Sequence, residues 1–132
     1  MTGPVWILPE TVLALHERLI AEFGGESGLR DEGLLSAALA RPQHLFTYAT
    51  PSAPELAASY AFGIVKNHPF LDGNKRVGFT VAILFFERNG HRFRAVEVDA
   101  VIQTLGLATG DLSESAYAAW LARNIQNRGT RG

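Results

Sequence analysis

Residues Ser52 to Asn89 read SAPELAASYAFGIVKNHPFLDGNKRVGFTVAILFFERN, and the reading of this stretch decides the fold. Ser52 followed three residues later by Glu55 is a capping box, with Pro54 inside the first turn. It opens a helix that runs to about Asn67 and buries Leu56, Tyr60, Gly63 and Ile64. His68-Pro69 ends that helix, because a residue before proline is pushed out of the helical region. From Asn74 to Asn89 the chain carries Val77, Phe79, Val81, Ile83, Leu84, Phe85 and Phe86, apolar nearly all round. Such a helix belongs in the centre of a bundle, and Asn89-Gly90 closes it.

On the N-terminal side, Val12, Leu15, Leu19 and Phe23, with Ile20 beside them, recur at helical spacing and predict a helix over residues 9–23. Gly24-Gly25 stops it. A shorter helix follows Asp31, its cap, and carries Leu34, Leu35 and Leu39 to a break at Pro42. Between Arg41 and Ala53 the pattern is lost, and the segment reads as an ordered surface loop or flap. On the C-terminal side, residues 91–95 alternate weakly and predict a short strand, with residues 5–8 as its partner. Helices over about 98–107 and 114–127 come next, the second capped by Ser113, and residues 128–132 are expected to fray. The sum is five or six helices and one minor hairpin, an all-α bundle.

Composition narrows the function. The 132 residues make about one domain, residues 1–132, large enough for a single core. Hydrophobic residues are 47% and charged residues 19%, as in an ordinary globular protein. Twelve Lys and Arg against 13 Asp and Glu leave a net charge of −1, which does not imply a large nucleic-acid footprint. With no Cys, thiol catalysis, disulfides, Cys-bound zinc and iron–sulfur clusters are excluded. No basic stretch precedes an apolar run at the N-terminus, and no apolar run approaches the length of a bilayer span; the expectation is a cytoplasmic protein without membrane contact.

One segment concentrates the chemistry: His68-Pro69-Phe70-Leu71-Asp72-Gly73-Asn74-Lys75-Arg76. A helix start offers unpaired backbone N–H groups and the positive end of the dipole. Lys75 and Arg76 in that first turn work against the helix, and a bound anion resolves the conflict. Phosphate suits it, with Arg76 as a fork and Lys75 as a point charge. Asp72 beside phosphates calls for a hard divalent cation such as Mg²⁺ between them. Histidine is the side chain suited to proton transfer near neutrality, and His68 lies one Pro turn from Asp72. Gly73 permits a positive φ or a close backbone approach. By spacing alone each of these residues also has an ordinary structural reading: a helix end, a cap, solvated cations. His16 reads as a packing or hydrogen-bonding residue, His44 and His91 as surface groups, Trp6 and Trp120 as packing, and Tyr48 as a possible contact for a target protein. No His pair has zinc spacing.

The string HPFLDGNKR resembles the signature of the Fic superfamily, in particular its death-on-curing (Doc) branch, toxins paired with a Phd-type antitoxin. Leu15-His16, Gly24-Gly25, Gly28 to Leu35, Ala40 to Gln43, Arg88 to Gly90 and Ala108 to Ser113 extend the likeness over nearly the whole chain. The resemblance implies a compact Fic/Doc-type bundle of about six helices. It implies His68 as the base that takes a proton from a target hydroxyl, and Asp72 as the catalytic acid residue that binds Mg²⁺. Gly73 and Asn74 match the nucleotide-binding helix start, and Lys75 and Arg76 its phosphate-contacting cations. Lys66 matches a position that is basic in a relative and contacts nucleotide or target.

The larger Fic group has a second Gly where this chain has Lys75. There the helix start cradles the inner phosphates of ATP for AMP transfer; a long cation blocks that cradle and resembles the Doc type, in which the γ-phosphate moves. The implied activity is a Mg-ATP-dependent protein kinase acting on a Thr of translation elongation factor Tu and arresting translation. The implied partner is a Phd-like antitoxin whose C-terminal segment folds into a groove, with walls expected near Leu15, Leu19 and Leu45 to Tyr48. No self-inhibitory Ser/Thr-x-x-x-Glu-Gly/Asn pattern is present, consistent with a separate inhibitor. Two other readings stay open: an AMP transferase of the Fic type, and a non-enzymatic partner-binding protein whose nucleotide site is unused.

Overall fold

A computed structural model describes residues 3–127. Their elements run α1 (Pro9–Phe23), α2 (Glu32–Tyr48), α3 (Ala53–Asn67), α4 (Asn74–Arg88), β1 (His91–Phe93), α5 (Glu97–Thr109), α6 (Glu114–Arg123) and β2 (Ile125–Asn127). The fold is all-α with one minor two-stranded sheet, as the sequence predicts. The expectation for residues 128–132 lies outside the described residues.

The central helix is α3 rather than α4. It packs against α2, α4, α5 and α6, and it buries Ala57, Ala58, Ala61 and Gly63 alongside Leu56, Tyr60, Ile64 and Val65. Small side chains let neighbours close in from several directions. A Cβ on Gly63 would stand 3.0 Å from the Cα of Ala38, and one on Gly78 of α4 would stand 2.9 Å from Val65 Cγ2. The larger residues of α4 bury one face, Val77, Val81, Phe85 and Phe86, and leave Phe79, Ile83 and Leu84 half-buried against the rim of the core. The capping box of α3 forms in full, with Glu55 N–H on Ser52 Oγ and Ser52 N–H on Glu55 Oε1.

Two further expectations are corrected. The second helix does not break at Pro42; α2 continues to Tyr48, with Pro42 buried inside it. An internal proline costs a helix about 3 kcal/mol, and tertiary contacts on both sides offset it. Arg41 donates to the Ser59 carbonyl at 3.1 Å and forks onto Glu114 at 3.0 and 3.2 Å, while Leu45 packs on the core. The second correction concerns the hairpin. β1 pairs antiparallel with β2, His91 opposite Asn127 and Phe93 opposite Ile125, so α6 ends at Arg123 and the last residues of the expected helix form a strand. Residues 5–8 do not pair with β1. The Asn89 side chain holds Val5 instead, accepting from its N–H at 2.7 Å and donating to its carbonyl at 3.0 Å.

The α5–α6 pair closes the bundle through Tyr117, whose hydroxyl meets Thr104 Oγ1 at 2.8 Å; burial pushes that phenol up to about 12. Asn89 and the β1–β2 ribbon follow the C-terminal end of α4. The opposite end of α4 opens onto the polar segment.

Candidate active site

The turn between α3 and α4 leaves helical backbone space at both ends, His68 at φ 55° and Gly73 at φ 76°. Glycine adopts such angles freely, but for a residue with a Cβ the left-handed region costs about 1–3 kcal/mol. The segment from Gly28 to Asp31 holds the turn in place. The Arg30 guanidinium donates through Nε to the His68 carbonyl at 2.7 Å and through Nη2 to the Asn67 carbonyl at 2.9 Å. The N–H groups of Arg30 and Asp31 both donate to the Pro69 carbonyl, at 2.6 and 3.0 Å, and Leu71 N–H donates to Gly28 at 3.0 Å. Asp31 also caps α2 by accepting from Leu34 N–H at 3.0 Å, which anchors the strap.

Beneath the turn, Phe70 is buried and its ring stacks on His16 of α1, centroids 3.8 Å apart and planes 9° from parallel. His16 Nε2 lies 2.8 Å from the Asp72 carbonyl; a carbonyl only accepts, so that nitrogen carries the hydrogen. Asn74 is 3% exposed. Its Oδ1 accepts from Phe70 N–H and its Nδ2 donates to Phe70 O, each at 3.0 Å, the two-bond pattern of paired strands made by one side chain. His16 and Asn74 thereby fix the backbone on which Asp72 and Gly73 sit.

Asp72 projects into solvent with each carboxylate oxygen engaged once: Oδ2 accepts from Glu26 N–H at 3.1 Å and Oδ1 from Gly73 N–H at 2.9 Å. The Glu26 amide, then the Gly73 amide, hold its carboxyl below the usual carboxylate range; partial desolvation acts the other way, and the positive charge of Lys75 adds a smaller pull downward. Gly25, at φ 115°, makes the Glu26 contact possible, since a Cβ there would stand 2.8 Å from Asp72 Oδ2.

At the start of α4 the N–H groups of Asn74, Lys75 and Arg76 have no acceptor among the described residues, and no acidic residue occupies the first turn. Lys75 and Arg76 are exposed. The ion pair found among the described residues, Arg41–Glu114, involves neither of them. The Arg76 guanidinium lies 4.1 Å above the Phe23 ring. His68, Asp72, Gly73, Asn74, Lys75 and Arg76 all line an open cleft of about 520 Å³, whose remaining walls include Leu19, Phe23, Phe79, Val101 and Leu105. That volume falls among those of small-ligand sites, and the combination of apolar walls with a few convergent polar groups is what such sites share.

Lys66 lies outside this lining. Its Nζ donates to the Ala108 carbonyl at 3.3 Å, at the C-terminal end of α5. Of the expected groove walls, Leu19 lines the cleft, whereas Leu45 packs on the core and Tyr48 is 86% exposed at the end of α2. His44 is exposed, while His91 sets its ring edge against Phe86 at 6.0 Å. Both Trp side chains pack, and Trp120 Nε1 donates to Asp99 Oδ2 at 2.8 Å. Sequence reasoning missed Arg30, 38 residues from His68 and bound to it by no local spacing. It also read Gly24-Gly25 as a helix stop alone; the doubled glycine was the available sign of a close approach.

Fold and cleft together define a class: a helical bundle that presents an anion-accepting helix start, a histidine and an ionised carboxylate in one mouth. The chain belongs to the Fic/DOC family, whose family model matches residues 6–86. It is similar to "Protein kinase doc" of Escherichia phage P1, with 36% identity over 119 residues, 89% of this chain and 93% of that protein. It is also similar to "Toxin Doc" of Mycolicibacterium smegmatis (strain ATCC 700084 / mc(2)155), with 39% identity over 105 residues, 76% of this chain and 80% of that protein.

Proposed function

We propose that this chain is the toxin of a toxin–antitoxin pair and acts in the cytoplasm as a single-domain protein kinase, using Mg²⁺ and ATP to phosphorylate a Thr of translation elongation factor Tu and so arrest translation. The observation that carries the reading is the meeting of His68, Asp72 and the unpartnered amides of α4 in one cleft. The names of the two relatives, a protein kinase and a toxin, support it.

The donor set fits the cation. Mg²⁺ is commonly held by one or two carboxylates, with substrate phosphates and water completing the shell. Asp72 is exposed, kept ionised, and uses one acceptor position on each oxygen. Among the described residues no cluster of three or more His, Asp or Glu side chains offers a full protein cage. Asp72 would hold the ion, which supplies neutralisation of the charge on the transferring phosphoryl group.

The chain's own residues do the rest. The amides of Asn74, Lys75 and Arg76 and the two cationic side chains bind the phosphates and orient them. The imidazole of His68 accepts the proton of the target hydroxyl as its oxygen bonds to the γ-phosphorus; the bond from that phosphorus to the bridging oxygen breaks, and ADP leaves. Lys75 favours γ-phosphoryl over AMP transfer because its side chain occupies the place where a Gly would admit the inner phosphates. Lys66, outside the cleft lining with its Nζ on the Ala108 carbonyl, is assigned to nucleotide or target contact. A Phd-like antitoxin inhibits by folding its C-terminal segment into the groove that Leu19 helps to wall.

The test is intact mass of purified elongation factor Tu after incubation with the chain, ATP and Mg²⁺. A gain of one phosphate, absent with His68→Ala, is expected. A gain of one AMP would replace the kinase reading by adenylylation. An unchanged mass, with nucleotide binding by calorimetry also missing, would leave the partner-binding reading in its place.

A further inference from the structure

The Arg30 fork reaches two carbonyls that lie on either side of a single Cα. The Asn67 carbonyl belongs to the peptide plane before the His68 Cα, and the His68 carbonyl to the plane after it. Fixing both planes fixes φ and ψ of His68, and with them the direction in which its Cβ leaves the chain. That backbone is left-handed, at φ 55° and ψ 54°, where a residue with a side chain does not rest unaided. The guanidinium is planar with donors at set angles, so it can hold two planes in one fixed geometry, which a freely rotating ammonium does not impose. Its charge also sits at the negative end of the α3 dipole.

The strap that carries Arg30 is itself immobilised. Its own N–H and that of Asp31 clamp Pro69, Leu29 bridges to Phe70, and Asp31 caps α2. The Arg30 guanidinium itself bonds neither Asp72 nor the start of α4, which are held by His16 on Asp72 and by Asn74 on Phe70. The two halves of the site thus have different supports.

We propose that Arg30 is a positioning residue that holds His68 in its left-handed conformation and so aims the imidazole into the cleft, a role resting on the kinase reading of that cleft. Arg30 is exposed, so its removal takes no volume from the core. With Arg30→Ala and Arg30→Lys, kcat for transfer should fall by about ten- to a hundredfold, the scale of a misplaced reacting group, with KM for ATP unchanged. Added guanidinium ion should restore part of kcat to Arg30→Ala and none to His68→Ala. A parental kcat in both variants, a change confined to KM, or no restoration would overturn the assignment.

A second readout needs no activity. In ¹³C,¹⁵N-labelled protein, the His68 backbone and ring resonances should lose their single left-handed signature in both variants, while the amides of Gly73 to Arg76 stay in place. His68 signals identical to the parent would sink the proposal even if the parent proves to be a kinase. Shifted His68 signals in the variants, with a parent that transfers nothing, would keep Arg30 as the holder of His68 and remove the kinase reading alone.

Discussion

At His68 a strained backbone and a reactive ring share one residue, and two substitutions separate them. His68→Ala should lower the transfer rate by roughly 10²–10⁴-fold, the usual worth of a general base. His68→Gly should be equally inactive yet more stable than His68→Ala by about 1 kcal/mol, because glycine enters the left-handed region without strain; thermal melting of the two variants side by side checks it. Asp72 answers to pH. Its carboxyl is held below the usual range by the Glu26 and Gly73 amides, so the folded state binds its proton less readily than the unfolded chain. The stability it contributes is therefore complete above the ordinary aspartate range and is lost as pH falls through the depressed value. A carboxyl ¹³C titration should place its midpoint below that of an unperturbed aspartate, and Mg²⁺ with nucleotide should move it lower still. A midpoint at the ordinary value would mean that the two amide bonds do not persist in solution.

Between elements, the closest backbone approach at a glycine is α2 on α3, where the Ala38 backbone lies against Gly63. Gly63→Ala would place a methyl 3.0 Å from Ala38 Cα and 3.2 Å from its carbonyl, both backbone atoms that cannot swing aside. A loss of about 1–3 kcal/mol, read as a lower denaturant midpoint, is expected from such overpacking. The same contact explains what the sequence could and could not say about these helices. Caps at Ser52, Asp31 and Ser113 are local signals, and each forms as read. The passage of α2 through Pro42 depends on Arg41 reaching Ser59 and Glu114, and the strand at Ile125–Asn127 depends on β1; both are contacts between distant parts of the chain that no window of residues contains. The nine-residue segment His68 to Arg76 was legible as a site because its residue types are costly at a helix start. Its supports at residues 16, 25 and 30 were not, because they act through geometry across other elements.

Over the whole molecule, the two described chain ends are fastened beyond the C-terminal end of α4, Val5 by the Asn89 side chain and β2 by β1. The cleft lies at the other end of the same helix. Asn89→Ala removes both bonds to Val5 and a third to the Phe85 carbonyl at 2.8 Å. It should abolish exchange protection of the Val5 amide and cost about 1–3 kcal/mol of stability. The transfer rate should stay at the parental level below the melting range; a rate that falls in step with Val5 protection would show that the two ends of α4 are coupled.

The bare Cα of Gly25, where an added methyl would stand only 2.8 Å from Asp72 Oδ2, has a genetic consequence under the toxin reading. Cells forced to express this gene survive by disarming its product, and a single base change at codon 25 does so by displacing the carboxylate while leaving every letter from His68 to Arg76 intact. Survivors sequenced from such a culture should include codon 25 changes that still make folded protein. Gene copies that look whole by their motif can thus be inert, and the codon to inspect is the one for Gly25.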